Sequence, residues 1–572
     1  MGMVSTGLFL PITIILLIVA FWGKKKEKHA CDVQDKLGKW YWVLFAACMA
    51  MGIFTRVYRF CDLPKGTNHD GIMGAVQAFY LMRDGVDTSG FSWPTYFEAW
   101  KYTNMSTLYS WILIPFLSLF GNTVFALRLP MLIISLLMLP LVWHLGVKLA
   151  GKIFGLILLF VVATNPWHIL QSRWAIDANL MPHVFLIGFY FLYLGIEKRP
   201  FLYLSMVFFG LTVYAYGQAA ILMPIFLLPA AVYLVSRKKI PVLDLIVCIL
   251  LFLAVSGLYY WTMAINALGL ETVHIGRITL PYLALSHRSS DIAFANKDGI
   301  FSIADGLTGL LGILLETNRF ADPYDAIPWA YTMYRFTAVL YLFGFFYLWI
   351  RRRDEIRKNL DMPFRTSSIL IMMWFLAAVL TAAQIVMNVM RFNYVFYSLM
   401  LLLAVTIYEM GKRIPWTAMG VIGMIFISFI CLNVTYFTDE EYQNEVGLNF
   451  RYGFFNALKD TWGWDYDEYV IGVQSETDRK QSEPHVLYAH EIDYQAQNEE
   501  TDLVGADGNP TDWYYTERYV YVTDPETYEP DPMACNVYVM RQKEYRDKFS
   551  EEDFLITDYD MYFVAYPRYW AE

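Results

Sequence analysis

Twelve apolar runs divide the chain, at 5–22, 40–60, 124–147, 153–170, 180–195, 201–217, 219–235, 241–263, 336–350, 366–390, 393–409 and 415–432. Each is 15–25 residues long, near the ~20 residues a helix needs to cross a ~30 Å hydrocarbon core. The pattern predicts an all-α polytopic membrane protein of about twelve transmembrane helices. Run 5–22 is followed, not preceded, by lysines (Lys24, Lys25, Lys26 and Lys28). A signal peptide has the reverse order, so this run reads as an uncleaved anchor with its N-terminus outside. A further run, 108–121, has only 14 residues and contains Pro115.

The polar segments between runs decide whether 108–121 crosses. If it does not, loops 23–39, 148–152, 196–200, 236–240, 351–365 and 410–414 share one side and carry 21 basic residues. If it does, the last five of these loops move to the other side with 15 basic residues. Basic residues favour the cytoplasmic side, so 108–121 is expected to be an interfacial or re-entrant helix on the outer face. Loop 61–123, loop 264–335 and the tail then lie outside the plasma membrane, with both termini.

Composition separates two parts. The chain has 572 residues, 57% hydrophobic and 17% charged, against roughly 25% charged in soluble domains. A soluble enzyme and a disordered chain are both excluded. Residues 439–572 carry a net charge of −21 and the rest +12. An acidic tail argues against nucleic-acid binding. Two domains are expected: a transmembrane domain, 1–432, and a small acidic α+β extracytoplasmic domain, 433–572, with strands at 519–522 and 537–539. The six cysteines show no metal-ligand spacing.

The remaining basic residues of the body lie in outer loops or near outer span ends. Arg59, Arg128, Arg173 and Arg391 sit beside apolar runs, where charge is expensive and often functional. Snorkelling to headgroups is one reading; a convergent group holding a lipid-linked phosphate is the other. Asp70 lies about ten residues beyond a span exit, before Ile72-Met73-Gly74-Ala75-Val76. It is placed to cap that helix or to act as a general base at the membrane surface. Arg173 and Asp177, four apart, suit a helical ion pair. His168 reads as an interfacial residue.

The order of residues then becomes familiar. Arg59, Pro64-Lys65-Gly66, Asp70, Ala78, Gly85-Val86-Asp87 and Gly90 are followed by Pro94-Thr95-Tyr96-Phe97, Leu108-Tyr109, Phe120-Gly121 and Arg128-Leu129-Pro130. Pro166-Trp167-His168 and Ser172-Arg173 come next, with Ile327-Pro328-Trp329 and Arg391-Phe392-Asn393 further on. This resembles bacterial glycosyltransferases of the protein O-mannosyltransferase and aminoarabinose-transferase type, glycosyltransferase family 39-like enzymes of the GT-C superfold. The resemblance is good over about 55–200 and weaker over 318–410. It implies a sugar donor carried on polyprenyl phosphate and an extracytoplasmic acceptor hydroxyl on a protein, cell-wall polymer or lipid. It makes Asp70 the catalytic aspartate. It places Arg59, His69, Tyr96, Lys101, Arg128, Arg173, Asp177 and Arg391 around the substrates. Two departures stand out. Asp70-Gly71 replaces the family's Asp-Glu, and Met105-Ser106-Thr107-Leu108 replaces Lys-Pro-Pro-Leu. With that phosphate-binding lysine missing, Lys101 is the nearest substitute.

A sugar phosphate already carries a good leaving group, so one base suffices where a glycosidase needs two carboxyls. A single displacement predicts inversion at the anomeric carbon. No cofactor is expected and metal independence is the default, with a divalent ion between Asp70 and Asp177 as the alternative. The rival function is a lipid or sugar transporter or flippase, which predicts broken helices, midplane polar residues and often inverted repeats. A non-catalytic membrane scaffold is a further rival, and gives no reason for Asp70 and the arginines to share a face.

Overall fold

The computed structural model describes residues 4–22, 38–100, 103–283, 299–315, 322–358, 365–384, 388–494 and 519–571. Lys101 lies outside the described residues, as do Arg288, Lys297, Asn318 and Arg319. Each of the twelve apolar runs contains helix among its described residues. Among the described residues, seven helices are long and apolar enough to cross a membrane, including Trp40–Val57, Val124–Ala150, Asp177–Gly195, Ala219–Ser236, Val242–Leu268 and Pro415–Thr438. The others, including Lys152–Ala163 and Arg199–Ala215, are shorter. The run at 153–170 is broken: its helix stops at Ala163, and Asn165 caps a separate short helix, Pro166–Gln171, by accepting from the His168 N–H at 3.0 Å.

Burial is inverted relative to a soluble protein. Leu243, Leu250 and Leu253 on Val242–Leu268, and Leu228 and Val232 on Ala219–Ser236, are exposed. Such apolar surface suits lipid and would be a liability in water. Arg56, Arg128, Arg173, His168 and His183 are buried instead. Helix Phe396–Arg413 is buried along nearly its whole length and forms the centre of the bundle.

The two ends of the bundle differ. At one end Lys152 lies over the Tyr41 ring, Tyr193 donates to the Lys148 carbonyl, and Tyr408 donates to the Ala150 carbonyl. Loops 148–152 and 410–414 meet there. At the other end the first long loop meets the tail. Helix Leu108–Phe120 belongs to that loop; its 13 residues span about 20 Å at 1.5 Å per residue. Tyr109 pins it by donating to the Leu127 carbonyl at 2.7 Å. The same loop holds helix His69–Arg83, buried on nearly every side, and a hairpin of β1 (Phe97–Ala99) and β2 (Thr103–Met105). A second hairpin, β3 (Val273–Ile275) and β4 (Ile278–Leu280), meets it where the Thr95 N–H donates to the Thr279 carbonyl.

Two features differ from expectation. Loop 264–335 contains an apolar helix, Gly299–Leu315, whose Gly306 abuts the Ala382 carbonyl. The last span runs to Thr438, six residues past the expected boundary. The tail is α+β. Its five-stranded sheet has the order β6-β5-β7-β9-β8, with β5 at Glu468–Gly472, β6 at Tyr519–Val522, β7 at Asn536–Arg541, β8 at Phe554–Tyr559 and β9 at Tyr562–Pro567. β5 is parallel to both β6 and β7; β7, β9 and β8 are antiparallel. Both strands expected from the sequence are present, as β6 and within β7.

Candidate active site

Helix Trp40–Val57 ends against a folded-back loop, and two arginines hold that loop from inside the protein. Arg173 is fully buried. Its Nη1 donates to the Thr55 carbonyl at 2.7 Å, its Nη2 to Tyr58 at 2.8 Å and Arg59 at 3.0 Å, and its Nε to the Tyr436 hydroxyl at 3.0 Å. The guanidinium also lies over the Tyr436 and Phe437 rings. Arg128, likewise buried, donates through Nη1 to the Phe60 and Cys61 carbonyls and through Nη2 to Pro64 and Gly66. Buried guanidinium groups need their donors satisfied, and here backbone carbonyls do so. Arg128 and Arg173 thus clamp the loop. One expectation is corrected: Arg173 is not the helical partner of Asp177, because residues 172–176 are not helical.

A third buried cation supports the same region. Arg56 reaches His168 Nδ1 at 2.7 Å, His168 Nε2 meets the Tyr397 hydroxyl at 2.8 Å, and Tyr397 meets His183 Nδ1 at 2.8 Å. The contact leaves His168 Nδ1 as an acceptor. His168 is thus a buried link between helices, not an interfacial residue.

The clamped loop delivers Asp70. Asn68 is the N-cap of His69–Arg83: its side chain accepts from the Asp70 N–H at 2.9 Å and the Gly71 N–H at 3.4 Å. Asp70 is therefore not the cap. Its carboxylate stands in the first turn, 30% exposed, with Oδ1 3.3 Å from His69 Nε2. Helix N-termini favour negative charge there. Burial lowers the proton affinity of His69 below the usual histidine range, with Asp70 opposing and Arg451 of the tail adding to the fall. Tyr324 is near: burial, then Asp325 and Asp322, hold its phenol above the usual range, and Asp70 contributes. Tyr324 packs edge-on against Trp174 at 5.2 Å, and Phe450 packs on both rings. His69 Nδ1, Thr67 Oγ1 and Trp174 Nε1 are buried with no hydrogen-bond partner among the described residues.

Gly71 explains one departure from the family pattern. A Cβ there would run into the Ala175 carbonyl, so the glycine lets this helix lie directly on segment 173–177. Asp177 begins helix Asp177–Gly195 on the far side of that contact. It is 8% exposed, and its carboxylate accepts from the Ser106 N–H at 3.1 Å and the Ala178 N–H at 2.7 Å. Ser106 lies in the segment that replaces Lys-Pro-Pro-Leu. Arg391 is half-buried. Its neighbour Asn393 donates to Asn179 Oδ1 at 2.9 Å and accepts from Trp167 Nε1 at 2.7 Å, which ties its turn to the start of the Asp177 helix.

The other expected residues scatter. Arg59 is 35% exposed, pairs with Asp62 at 3.5 Å and donates to the Phe437 carbonyl. Tyr96 is buried against Tyr259, ring centroids 5.6 Å apart, beside Gly217. Among the described residues no three His, Cys, Asp or Glu side chains gather as metal ligands. Asp325, beside Tyr324, carried no sequence signal. Asp325 is buried, accepts from Gln171 Nε2 at 2.8 Å, and is pushed up to about 8 by burial, with Asp322 also raising it and Gln171 opposing. Asp87 is pushed up to about 7 by burial, and its Oδ1 accepts from the Ser89 and Phe91 N–H groups, which closes the turn after His69–Arg83.

Residues 105–261 match the family profile described as dolichyl-phosphate-mannose-protein mannosyltransferase. No curated protein matches the sequence. Among solved structures, ArnT from Cupriavidus metallidurans bound to undecaprenyl phosphate superposes with a TM-score of 0.53 at 11% identity, over 92% of this chain and 98% of that one. The Archaeoglobus fulgidus oligosaccharyltransferase tethered to an acceptor peptide gives 0.45 at 11% identity, over 79% of this chain and 63% of that one. The resemblance read from the sequence is borne out, and the chain has the fold of a GT-C glycosyltransferase of the ArnT and protein-mannosyltransferase type.

Proposed function

We propose that the protein transfers a sugar from a polyprenyl-phosphate carrier to an acceptor hydroxyl at the outer face of the membrane. The observation that carries this reading is the state of Asp70. Asn68 does the capping, so the Asp70 carboxylate is released from a structural task and stands part-exposed beside His69 in a GT-C fold. As the base it would take the acceptor proton while the hydroxyl attacks the anomeric carbon. The carrier phosphate leaves, with inversion. Arg59 and Arg391, the half-buried cations of the expected set, would offset the charge growing on that phosphate. Asp177 would fix the floor of the site through Ser106. The acidic domain beyond Thr438 shares the bundle end that bears Asp70, and two of the basic loops, 148–152 and 410–414, lie at the other, which supports an extracytoplasmic site. A transfer assay with purified protein and defined polyprenyl-phosphate sugars tests the reading. Turnover should be seen with a wild-type chain and lost in Asp70→Asn.

A further inference from the structure

The turn that delivers Asp70 is gripped by the tail. The Thr67 N–H donates to the Phe450 carbonyl at 2.6 Å, and the Thr67 carbonyl faces His485 Nε2 at 3.3 Å. Both backbone polar groups of Thr67 are thus taken by tail residues, immediately before the Asn68 cap. Gly66, at φ 82°, makes the approach possible: a Cβ there would run into the Phe450 carbonyl. Phe450 is also the ring that closes over Trp174 and Tyr324.

His485 is itself held firmly. It is fully buried on helix Glu476–Ala489, packs 5.6 Å from the Phe454 ring, and has Nδ1 3.2 Å from the Gln481 carbonyl. Burial, then Arg451, push the ring down to about 3, so it is neutral and has one N–H to give. The Gln481 carbonyl lies one helical turn back, where a helix's own ladder serves it. The ring proton therefore belongs on Nε2, toward Thr67. More distant contacts hold the same two bodies together. Arg83 pairs with Asp493 at 3.0 Å, Asn122 donates to the Tyr488 carbonyl, and Lys65 donates to Asn444.

We infer that the C-terminal domain is a working part of the active site: through His485 and the Phe450 carbonyl it fixes Thr67 and so sets where the Asp70 carboxylate stands. His485 is a positioning residue and does not touch substrate. The inference rests on the reading of Asp70 as the base. A displacement near 1 Å at such a group costs up to ~10²-fold in rate.

The test uses the full-length protein in lipid nanodiscs. Hydrogen exchange of the peptide covering 66–72 is read beside transfer kinetics for wild type, His485→Leu, His485→Gln and Asp70→Asn. His485→Leu should speed exchange in 66–72 but not in the Asp177–Gly195 helix. Its kcat should fall ~10-fold or more, with donor KM within about 2-fold. His485→Gln, which keeps an N–H donor, should restore most of both. Asp70→Asn should exchange as wild type and be inactive. If the leucine variant fails to insert, His485→Asn, polar but too short to reach, takes its place. Wild-type exchange in 66–72, or raised exchange with unchanged kcat, would overturn the inference. An active Asp70→Asn protein beside a raised exchange in His485→Leu would remove the base assignment and leave the tail's grip on Thr67 standing.

Discussion

The end of helix Trp40–Val57 with the turn after it, and the stretch that follows directly, treat their polar groups in opposite ways. Around residues 55–66 the carbonyls that bend back from the span are taken up by Arg173 and Arg128. Around residues 67–70 three polar atoms, on Thr67, His69 and nearby Trp174, are buried without partners among the described residues, and the Asp70 carboxylate is part-exposed. A saturated network holds a shape. Groups left unsatisfied carry a cost of ~1–3 kcal/mol each, and a fold that tolerates them is positioned to bind something there. Residue type alone does not separate the two regions; what each group already holds does.

The comparison predicts the largest effect for Arg173. Arg173→Leu strands several buried acceptors and should cost about 3–5 kcal/mol of stability, seen as a large drop in thermal unfolding temperature. Arg173→Lys should rescue little, because one ammonium cannot reach carbonyls spread over a fork. A stable Arg173→Leu protein with weakened donor binding would return Arg173 to the phosphate. Next comes Asp70→Asn. Asn68 still caps the helix, so insertion and stability should be unchanged while transfer falls at least ~10²-fold; near-normal turnover would end the proposed mechanism.

These two residues also mark what the sequence could and could not tell. A short helix, Leu108–Phe120, stands where the loop charge count expects an interfacial one, and β-branched and tyrosine alternation located β6 and part of β7. Both readings use neighbours along the chain. Asn68 and Asp70 are equally good caps, and only the turn through Thr67 decides between them. Arg173 was placed correctly beside an apolar run, but its acceptors lie more than 100 residues away in sequence. Asp325, Tyr324 and Phe450 reach the site from other loops and the tail, which no local pattern reports.

Gly71→Ala should lose about 1–3 kcal/mol from overpacking, although alanine is the better helix former. The clash with the Ala175 carbonyl predicts lower thermal stability and reduced transfer together. Wild-type behaviour would mean that segment 173–177 yields easily. The smallest effects belong to the half-buried cations. Arg59→Gln and Arg391→Gln should each raise donor KM ~10-fold, equivalent to about 1.4 kcal/mol, with unfolding temperature held near wild type. Unchanged donor kinetics in both would move the phosphate to residues outside this set.

The contact between Thr67 and His485 joins positions 418 residues apart, and that separation has a consequence in time. At about 5–20 residues per second, the ribosome needs roughly 20–80 s between making the two. The loop that carries Asp70 is therefore made well before the domain that seats it. A chain halted anywhere before residue 485 therefore exposes Asp70 without its His485 support. On the proposed reading, translation past residue 485, rather than membrane insertion, becomes the event that arms the protein.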